Sequence, residues 1–143
     1  MIRRRHQHVE TILIAVVGLS RDLTVARQIP FRGQRLRRSH IDALFVLAHR
    51  RTPVTPSSLA SALGVTAGAV TQLLDTLASA GLVESDLNPH DGRSRILNLT
   101  ERARADIAEF EQQVVADLTP RFDPLTDNEL ATLADLLNRL EIP

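Results

Sequence analysis

Apolar residues recur every three or four positions along most of the chain, which is the spacing of a helix that buries one face. The first stripe runs from Val9 to Leu23, in a predicted helix that extends to about Gln28. Ile14 and Val17 add apolar surface outside this stripe. A helix that is apolar on several sides is buried on several sides, and in a chain this small that favours contact with a second subunit.

Hydroxyl side chains mark the starts of three more predicted helices, because Ser and Thr can accept the free N–H groups of a first helical turn. Ser39 is the predicted cap of the second helix, Thr100 of a long helix and Thr126 of the last one. Glu129 follows Thr126 at the spacing of a capping box. The apolar stripe of the second helix is Ile41, Leu44, Phe45 and Ala48. That of the long helix is Ala103, Ile107, Phe110, Val114 and Leu118, and that of the last helix is Leu130, Leu133, Leu136, Leu137 and Leu140.

Between residues 55 and 80 the chain predicts two short helices joined by a tight turn. Thr55 caps the first helix, Pro56 occupies its first position, and Gly64 ends it in the left-handed conformation that glycine accepts. Thr66 caps the second helix. That helix turns Val70, Leu73, Leu74 and Leu77 inward and Gly68, Gln72, Asp75 and Thr76 outward. A second helix with a small polar outer face is typical of a DNA-reading helix-turn-helix, although an ordinary helical hairpin shows the same pattern.

A predicted β-hairpin directly follows this helix pair. Gly81 ends the second helix, and two turn signals, Asn88-Pro89 and Asp91-Gly92, separate two extended runs. Val54 is placed to pair with the returning run as a short strand. The hairpin carries Arg93 and Arg95 near its tip. A helix-turn-helix followed by such a hairpin is a winged helix, which favours DNA binding over a simple helical hairpin.

At this point the sequence resembles the MarR family of bacterial transcription regulators. The resemblance covers nearly the whole chain, and Asp-x-Arg followed by Leu-Thr is its most specific part. It rests on Leu59-Ala60, Gly64-Val65-Thr66, Val70-Thr71, Leu77, Gly81-Leu82-Val83, Asp91-x-Arg93 and Leu99-Thr100.

The resemblance implies a mainly α fold with a small β-wing, in a single domain that spans residues 1–143. Residues of about 8–29 and 100–141 are the expected dimerisation helices, and about 39–99 the winged helix-turn-helix. The expected recognition helix is about 66–80 and the wing about 83–99. The implied function is a homodimeric repressor that binds an inverted repeat in double-stranded DNA and is released by a small aromatic or phenolic effector.

Gln72 is the candidate for a base contact, since its amide can pair bidentately with adenine. Thr66, Thr71 and either Ser57 or Ser58 are candidates for bonds to phosphates, with simple solvent exposure as the alternative. Gly68 leaves room for the helix N-terminus to approach the DNA backbone. These residues place the predicted interface on the second motif helix and the start of the first.

The wing supplies the second group of candidate residues. Arg93 and Arg95 can flank or enter the minor groove, which attracts guanidinium groups where it is narrow. The resemblance assigns Arg93 the wing position and Asp91 a role in holding it. An Asp91–Arg93 ion pair that only shapes the hairpin is the alternative. Arg38, in a basic connector before the second helix, is a further candidate for DNA contact.

The chain has a formal net charge of zero, but the charge is unevenly distributed. Residues 1–51 carry a net +8, residues 52–100 a net −2 and residues 101–143 a net −6. The basic third can approach a phosphate backbone, while the acidic third is expected to face away from it. The resembled family commonly carries basic residues in the recognition helix and just after it, where this chain has Gln72, Thr76, Glu84 and Ser85, so we expect weak non-specific binding and a shallow dependence of affinity on salt.

The remaining sequence features argue against a membrane protein. The apolar run Ile12–Leu19 is far shorter than the roughly 20 residues that cross a bilayer. Arg3-Arg4-Arg5 precedes it, but no small-residue cleavage site follows, so a secretory signal is not expected. The chain also contains no cysteine, which removes disulfides and cysteine-based sensing. These features predict a cytoplasmic protein that uses no membrane.

Catalysis, cofactors and metals find little support in the sequence. His90, Asp91 and Ser94 crowd one hairpin tip without a pocket, and no glycine-rich phosphate loop is present. His6 and His8 lie together but have neither helical ligand spacing nor a cysteine partner. We therefore expect no enzyme activity, no cofactor and no metal. A winged-helix protein-interaction module and a metal-responsive regulator remain the alternatives.

Overall fold

The computed structural model describes residues 2–27, 31 and 36–140. That part of the chain contains six α-helices, a short 3₁₀ helix and one antiparallel pair of strands, which confirms the mainly α fold with a small β-wing. The helices are α1 (Ile2–Ala26), α2 (Arg38–His49), α3 (Pro56–Leu63), α4 (Ala67–Ser79), α5 (Glu101–Leu118) and α6 (Asp127–Asn138), the 3₁₀ helix is Thr119–Phe122, and the strands are β1 (Val83–Asn88) and β2 (Asp91–Leu99).

The chain forms two compact units. Residues 30–111 form one, called here the winged unit, and residues 1–29 with 112–142 form the other, called the helical unit. In the winged unit the ring of Phe110 meets Phe31 at a centroid distance of 5.6 Å and Phe45 at 6.5 Å, both edge-on. The largest side chains that are completely buried all belong to this unit: Leu44, Leu59, Val70 and Leu77.

Strands β1 and β2 form the wing, with regular pairing from Val83 opposite Leu99 to Leu87 opposite Arg95. The register shifts after Leu87, so the tip of the hairpin is irregular. Val54 pairs with Leu97 as an isolated bridge, with 2.8 Å between the Leu97 nitrogen and the Val54 oxygen, which confirms the predicted short strand. This bridge joins the segment before α3 to the wing.

The structure confirms four of the predicted helix caps. Thr55, Thr66 and Thr126 each accept a hydrogen bond from a backbone N–H of the following helix, and Thr100 accepts one from Ala103. The Glu129 carboxylate completes the box at α6, and its pKa is lowered by the hydrogen bonds that it receives from the Thr126 backbone and side chain. Local side-chain chemistry therefore sets where these helices begin.

The prediction that Ser39 caps the second helix is wrong. The N-cap is Arg37, which makes no side-chain capping bond, and the helix already includes Arg38. The backbone nitrogens of His40 and Ile41 both donate to the Arg37 oxygen, so Ser39 lies inside the first turn. The predicted stripe of this helix also shifts slightly: Ala48 is exposed and Ala43 is buried in its place.

The helical unit leaves most of its apolar residues exposed. The one ion pair found between its described residues joins Arg121 to Asp22 at 3.0 Å. The predicted stripes of α1 and α6 are present: Leu23 and Leu130 are half-buried, but the other large apolar side chains described on these helices are more than a third exposed. On these two helices they are Val9, Ile12, Leu13, Ile14, Val16, Val17, Leu19, Val25, Leu133, Leu136 and Leu137. Exposed apolar side chains in this number are typical of a contact with another macromolecule.

Helices α3 and α4 meet at a sharp turn around Gly64, which has φ 65° and ψ 35°. No single described helix has both the length and the apolar composition to cross a membrane. Among the described helices, only α3 and α4 taken together have that length and composition, and the chain bends by 108° between them. Gly64 therefore sets the angle between these helices, because other residues resist the left-handed conformation.

Replacing Gly64 with alanine is expected to lower the free energy of unfolding by about 1–2 kcal/mol, the cost of placing a Cβ in left-handed backbone. Gly68→Ala is the matched control: the site is helical and has open space around it, so alanine is expected to raise stability by up to about 1 kcal/mol. Urea denaturation of both variants measures the difference. Equal stability of Gly64→Ala and the parent would contradict the left-handed turn.

Candidate nucleic-acid interface

The first motif helix, α3, begins with a reciprocal cap that distinguishes its two serines. The Ser58 nitrogen donates to Thr55 Oγ1 at 3.2 Å, and the Thr55 nitrogen donates to Ser58 Oγ at 2.9 Å. Ser58 is therefore occupied by the cap and half-buried. Ser57 is exposed, and its hydroxyl lies 3.2 Å from Thr55 Oγ1. Of the two candidates, Ser57 has the freer hydroxyl.

Helix α4 presents a small polar face to solvent. Gly68, Gln72 and Asp75 share one exposed stripe, and a Cβ at Gly68 would meet no atom within 4 Å. Asp75 is the one charged residue of the helix, so its outer face carries no basic side chain. The opposite face is anchored in the core by Val70, Leu73 and Leu77.

The hydroxyl groups of α4 are partly engaged by its own backbone. Thr66 Oγ1 accepts from the Ala69 nitrogen at 3.2 Å, and Thr71 Oγ1 donates to the Ala67 oxygen at 3.1 Å. Both side chains remain exposed. Because the Thr71 hydroxyl donates its hydrogen to Ala67, it can only accept further hydrogen bonds, whereas a phosphate oxygen needs a donor. Thr71 therefore has to turn its hydroxyl outward to bind a phosphate.

Side-chain hydrogen bonds shape the tip of the wing. The His90 nitrogen donates to Asn88 Oδ1 at 3.0 Å, which forms the turn that the Asn-Pro pair predicted. Asn88 Nδ2 donates to Ser94 Oγ at 2.8 Å across the hairpin. Asp91 Oδ1 accepts from the Arg93 backbone nitrogen at 3.0 Å. Asp91 thus holds the backbone of Arg93 and not its guanidinium group.

The two wing arginines have different surroundings. Arg93 is exposed, and its guanidinium group bonds to no residue that the structure describes. Arg95 instead bends back onto β1: its Nε donates to Ser85 Oγ at 2.8 Å and its Nη2 to the Ser85 oxygen at 2.7 Å. Arg95 therefore braces the hairpin, and sequence analysis missed this contact because it depends on the strand register.

The outer side of α4 adjoins the wing. Thr71 and Asp75 of the helix and Ser85 and Arg95 of the wing line one cavity of about 290 Å³. Two of the predicted site residues, Thr71 and Arg95, therefore line the same cavity. The helix face and the wing are therefore neighbours within the winged unit.

Arg38, the remaining candidate, lies at the first position of α2. Its side chain is 73% exposed and its Nε is 3.6 Å from Asp42 Oδ2, one turn further along. Arg32 and Arg35 of the same basic connector lie outside the described residues. A long, exposed ion pair of this kind is weak, so the Arg38 charge remains available to solvent.

Comparison with known proteins identifies the family. The MarR family model matches residues 36–94, which run from the start of α2 into the wing. A crystal structure of a cysteine-to-serine mutant of MarR from Escherichia coli is 30% identical and superposes with a TM-score of 0.66, covering 91% of this chain and 94% of that one. The chain belongs to the MarR family. Eight of the nine predicted site residues lie inside the matched segment, and the ninth, Arg95, directly follows it.

Two further comparisons concern the same E. coli protein. The multiple antibiotic resistance protein MarR of E. coli K12 is 38% identical over 88 residues, which are 61% of each chain. The chain thus spans about three fifths of the length of the curated relatives it matches. The crystal structure of the same E. coli mutant in complex with operator DNA is 29% identical, with a TM-score of 0.60 over 92% of this chain and 93% of that one.

Proposed function

We propose that this MarR-family chain is a transcriptional regulator that binds double-stranded DNA with α4 and the wing. One observation carries the proposal: a capped helix with a small, exposed polar face lies beside a hairpin whose tip presents Arg93, whose guanidinium group bonds to no described residue. This is the arrangement that a winged helix uses to occupy adjacent major and minor grooves. The likeness to a MarR structure that contains operator DNA supports the same function.

The proposed contacts divide into base reading and positioning. Gln72 reads a base, with adenine as the preferred partner, because its amide offers one donor and one acceptor side by side. Ser57, Thr66 and Thr71 bond phosphates, and Gly68 lets the start of α4 approach the DNA backbone. The set uses hydroxyl and amide groups where other DNA-binding proteins use cations, since Asp75 is the one charge on α4.

The wing and α2 supply the cations that α4 lacks. Arg93 enters or flanks the minor groove, held in place through its backbone by Asp91. Arg95 contributes charge near the groove while it holds β1 and β2 together. Arg38 contacts the backbone from the start of α2. With so few cations, binding releases few counterions and depends weakly on salt.

Two copies of the chain form the binding species in this proposal. The exposed apolar residues of α1 and α6 cover each other in a homodimer, because apolar surface of this extent is stabilised by burial. A two-fold axis then places the two α4 helices about 34 Å apart, in successive major grooves. The matching DNA site is an inverted repeat.

We further propose that the dimer is a cytoplasmic repressor that a small molecule releases from DNA. A ligand changes DNA affinity only through its different affinity for the DNA-bound and the free conformation. An aromatic or phenolic compound is the class of effector that the family resemblance suggests. This regulatory part depends on DNA binding and is tested after it.

Selection of genomic fragments tests DNA binding. The purified chain is mixed with sheared DNA from its source, bound fragments are recovered and sequenced, and the double variant Gln72→Ala, Arg93→Ala is treated in parallel. We expect an inverted repeat enriched by the parent chain and at least about tenfold less by the variant, since each lost contact costs on the order of 1 kcal/mol or more. Equal enrichment by both would overturn the proposed interface, whereas no enrichment by the parent chain would contradict DNA binding and favour the winged-helix protein-interaction module.

A further inference from the structure

A second cavity of the winged unit lies apart from α4, and no residue of α4 lines it. Its volume is about 600 Å³, within the range of about 300–1,000 Å³ that small-molecule sites occupy. The C-terminal end of α2, the segment through Val54, strand β2 and the first half of α5 form its walls. Val54, Leu97 and Ile107 give it a buried apolar floor.

The rim of this cavity carries an excess of positive charge. Arg50, Arg51 and Arg104 all line it, and none of the three guanidinium groups bonds to a residue that the structure describes. The one carboxylate of the rim, Glu111, already has a partner: its Oε1 is 2.6 Å from His49 Nε2. These three arginines and one glutamate leave two positive charges at the rim when His49 is neutral.

We propose that this cavity binds a small organic dianion, either a dicarboxylate or a phosphate monoester. A planar guanidinium fork suits both groups, because each presents two oxygens to two parallel N–H donors. The two negative charges of such a ligand match the two excess positive charges at the rim. The carbon skeleton of the ligand then packs on the apolar floor of the cavity. A neutral ligand would offer the three arginines no charge to pair with.

Occupancy of the cavity bears on the wing. Ile96 and Asn98 of β2 line it, and they follow directly on the segment that carries Arg93 and Arg95. A dianion held between α5 and β2 therefore favours one position of the wing over others. This coupling rests on the proposed function, whereas dianion binding itself does not.

Calorimetry on the DNA-free chain at constant ionic strength tests the binding. Four probes share one ring: phthalate, phenyl phosphate, benzoate and benzamide. We expect at least one dianion to bind once per chain, at least about tenfold more tightly than benzoate, with no heat from benzamide, because charge-assisted bidentate bonds carry the affinity. Comparing phthalate with phenyl phosphate tells carboxylate from phosphate preference. Equal binding of benzoate and both dianions, or no saturable binding, would overturn the proposal.

Two arginines of α5 provide a matched pair of variants. Arg104 lines the cavity, while Arg102 is also exposed on the same helix and does not line it. Arg104→Gln is expected to weaken dianion binding at least about tenfold and Arg102→Gln less than about twofold, with Arg51→Gln as a second cavity variant. Equal effects of Arg104→Gln and Arg102→Gln would show binding to general surface charge and would overturn the site.

A gel shift separates this site from the proposed function. The preferred dianion is expected to weaken DNA binding of the parent and of Arg102→Gln, but not of Arg104→Gln. Dianion binding without any effect on the gel shift would overturn the coupling to the wing. Absence of a gel shift before any dianion is added would contradict the proposed function and leave the calorimetric result standing.

Discussion

Leu13→Glu is expected to leave the chain monomeric and to weaken its binding to the inverted repeat by about 10²–10⁴-fold, the gain that a second linked contact supplies. Leu13 is 58% exposed in the single chain and lies in the apolar surface of α1. In the proposed dimer this surface is covered. A glutamate there loses its water without gaining a partner, which costs several kcal/mol.

Sedimentation equilibrium measures the mass of this variant, and a gel shift measures its affinity for DNA. Leu87→Glu is the matched control for the mass, since Leu87 is also an exposed leucine but lies on the wing. The control is expected to have the mass of the parent. A Leu13→Glu variant that keeps the parent's mass would place the subunit contact elsewhere.

The second large effect is expected at α4. Gln72→Ala should cost about 1–3 kcal/mol in each half-site through the lost base contact, and therefore about 2–6 kcal/mol in the dimer. The loss should be confined to the selected site, so that affinity for unrelated DNA stays the same. Arg93→Ala should instead weaken binding to all sequences and flatten the salt dependence by about one unit of log–log slope for each lost phosphate contact.

Titration of two duplexes, the selected repeat and a scrambled one, at several salt concentrations distinguishes the two effects. Gln113→Ala is the matched control, because Gln113 is an exposed glutamine in the part of α5 that belongs to the helical unit. It is expected to bind both duplexes as the parent does. If Gln72→Ala weakened both duplexes equally, Gln72 would be a positioning contact and the base would be read elsewhere.

The parts of the fold that depend on neighbours in sequence were predictable. Thr55, Gly64 and Thr66 each act within three or four residues: a cap accepts the next turn's N–H, and a glycine takes left-handed backbone. The spacing of Val70 and Leu77 likewise predicts which face of α4 is buried. These features follow from local chemistry and helix geometry alone.

The parts that depend on distant contacts were not predictable. Ser39 carries the chemistry of a cap, yet α2 begins earlier, at Arg38, and a hydroxyl signal does not contain that information. Arg95 and Ser85 are ten residues apart in sequence, and they bond only because the two strands pair in one particular register. The resemblance implied that Asp91 holds Arg93, with an ion pair between the two side chains as the alternative, whereas the hairpin turns the carboxylate onto the Arg93 backbone N–H.

The apolar stripes of α1 and α6 show a further limit of sequence analysis. Their periodicity predicts a face that avoids water, but it contains no information on what covers that face. In the single chain, Ile12 is 53% exposed and Leu136 is 49% exposed. So many large apolar side chains with such exposure are unusual in a folded monomer, and they are the structural basis for proposing a second copy.

Hydroxyl-radical footprinting of the selected duplex tests the central claim most directly. A two-fold dimer that places two α4 helices and two wings on DNA is expected to protect two symmetric groups of backbone positions on one face, with centres about 10–10.5 base pairs apart. A single protected group, or protection without symmetry about the centre of the repeat, would contradict the account.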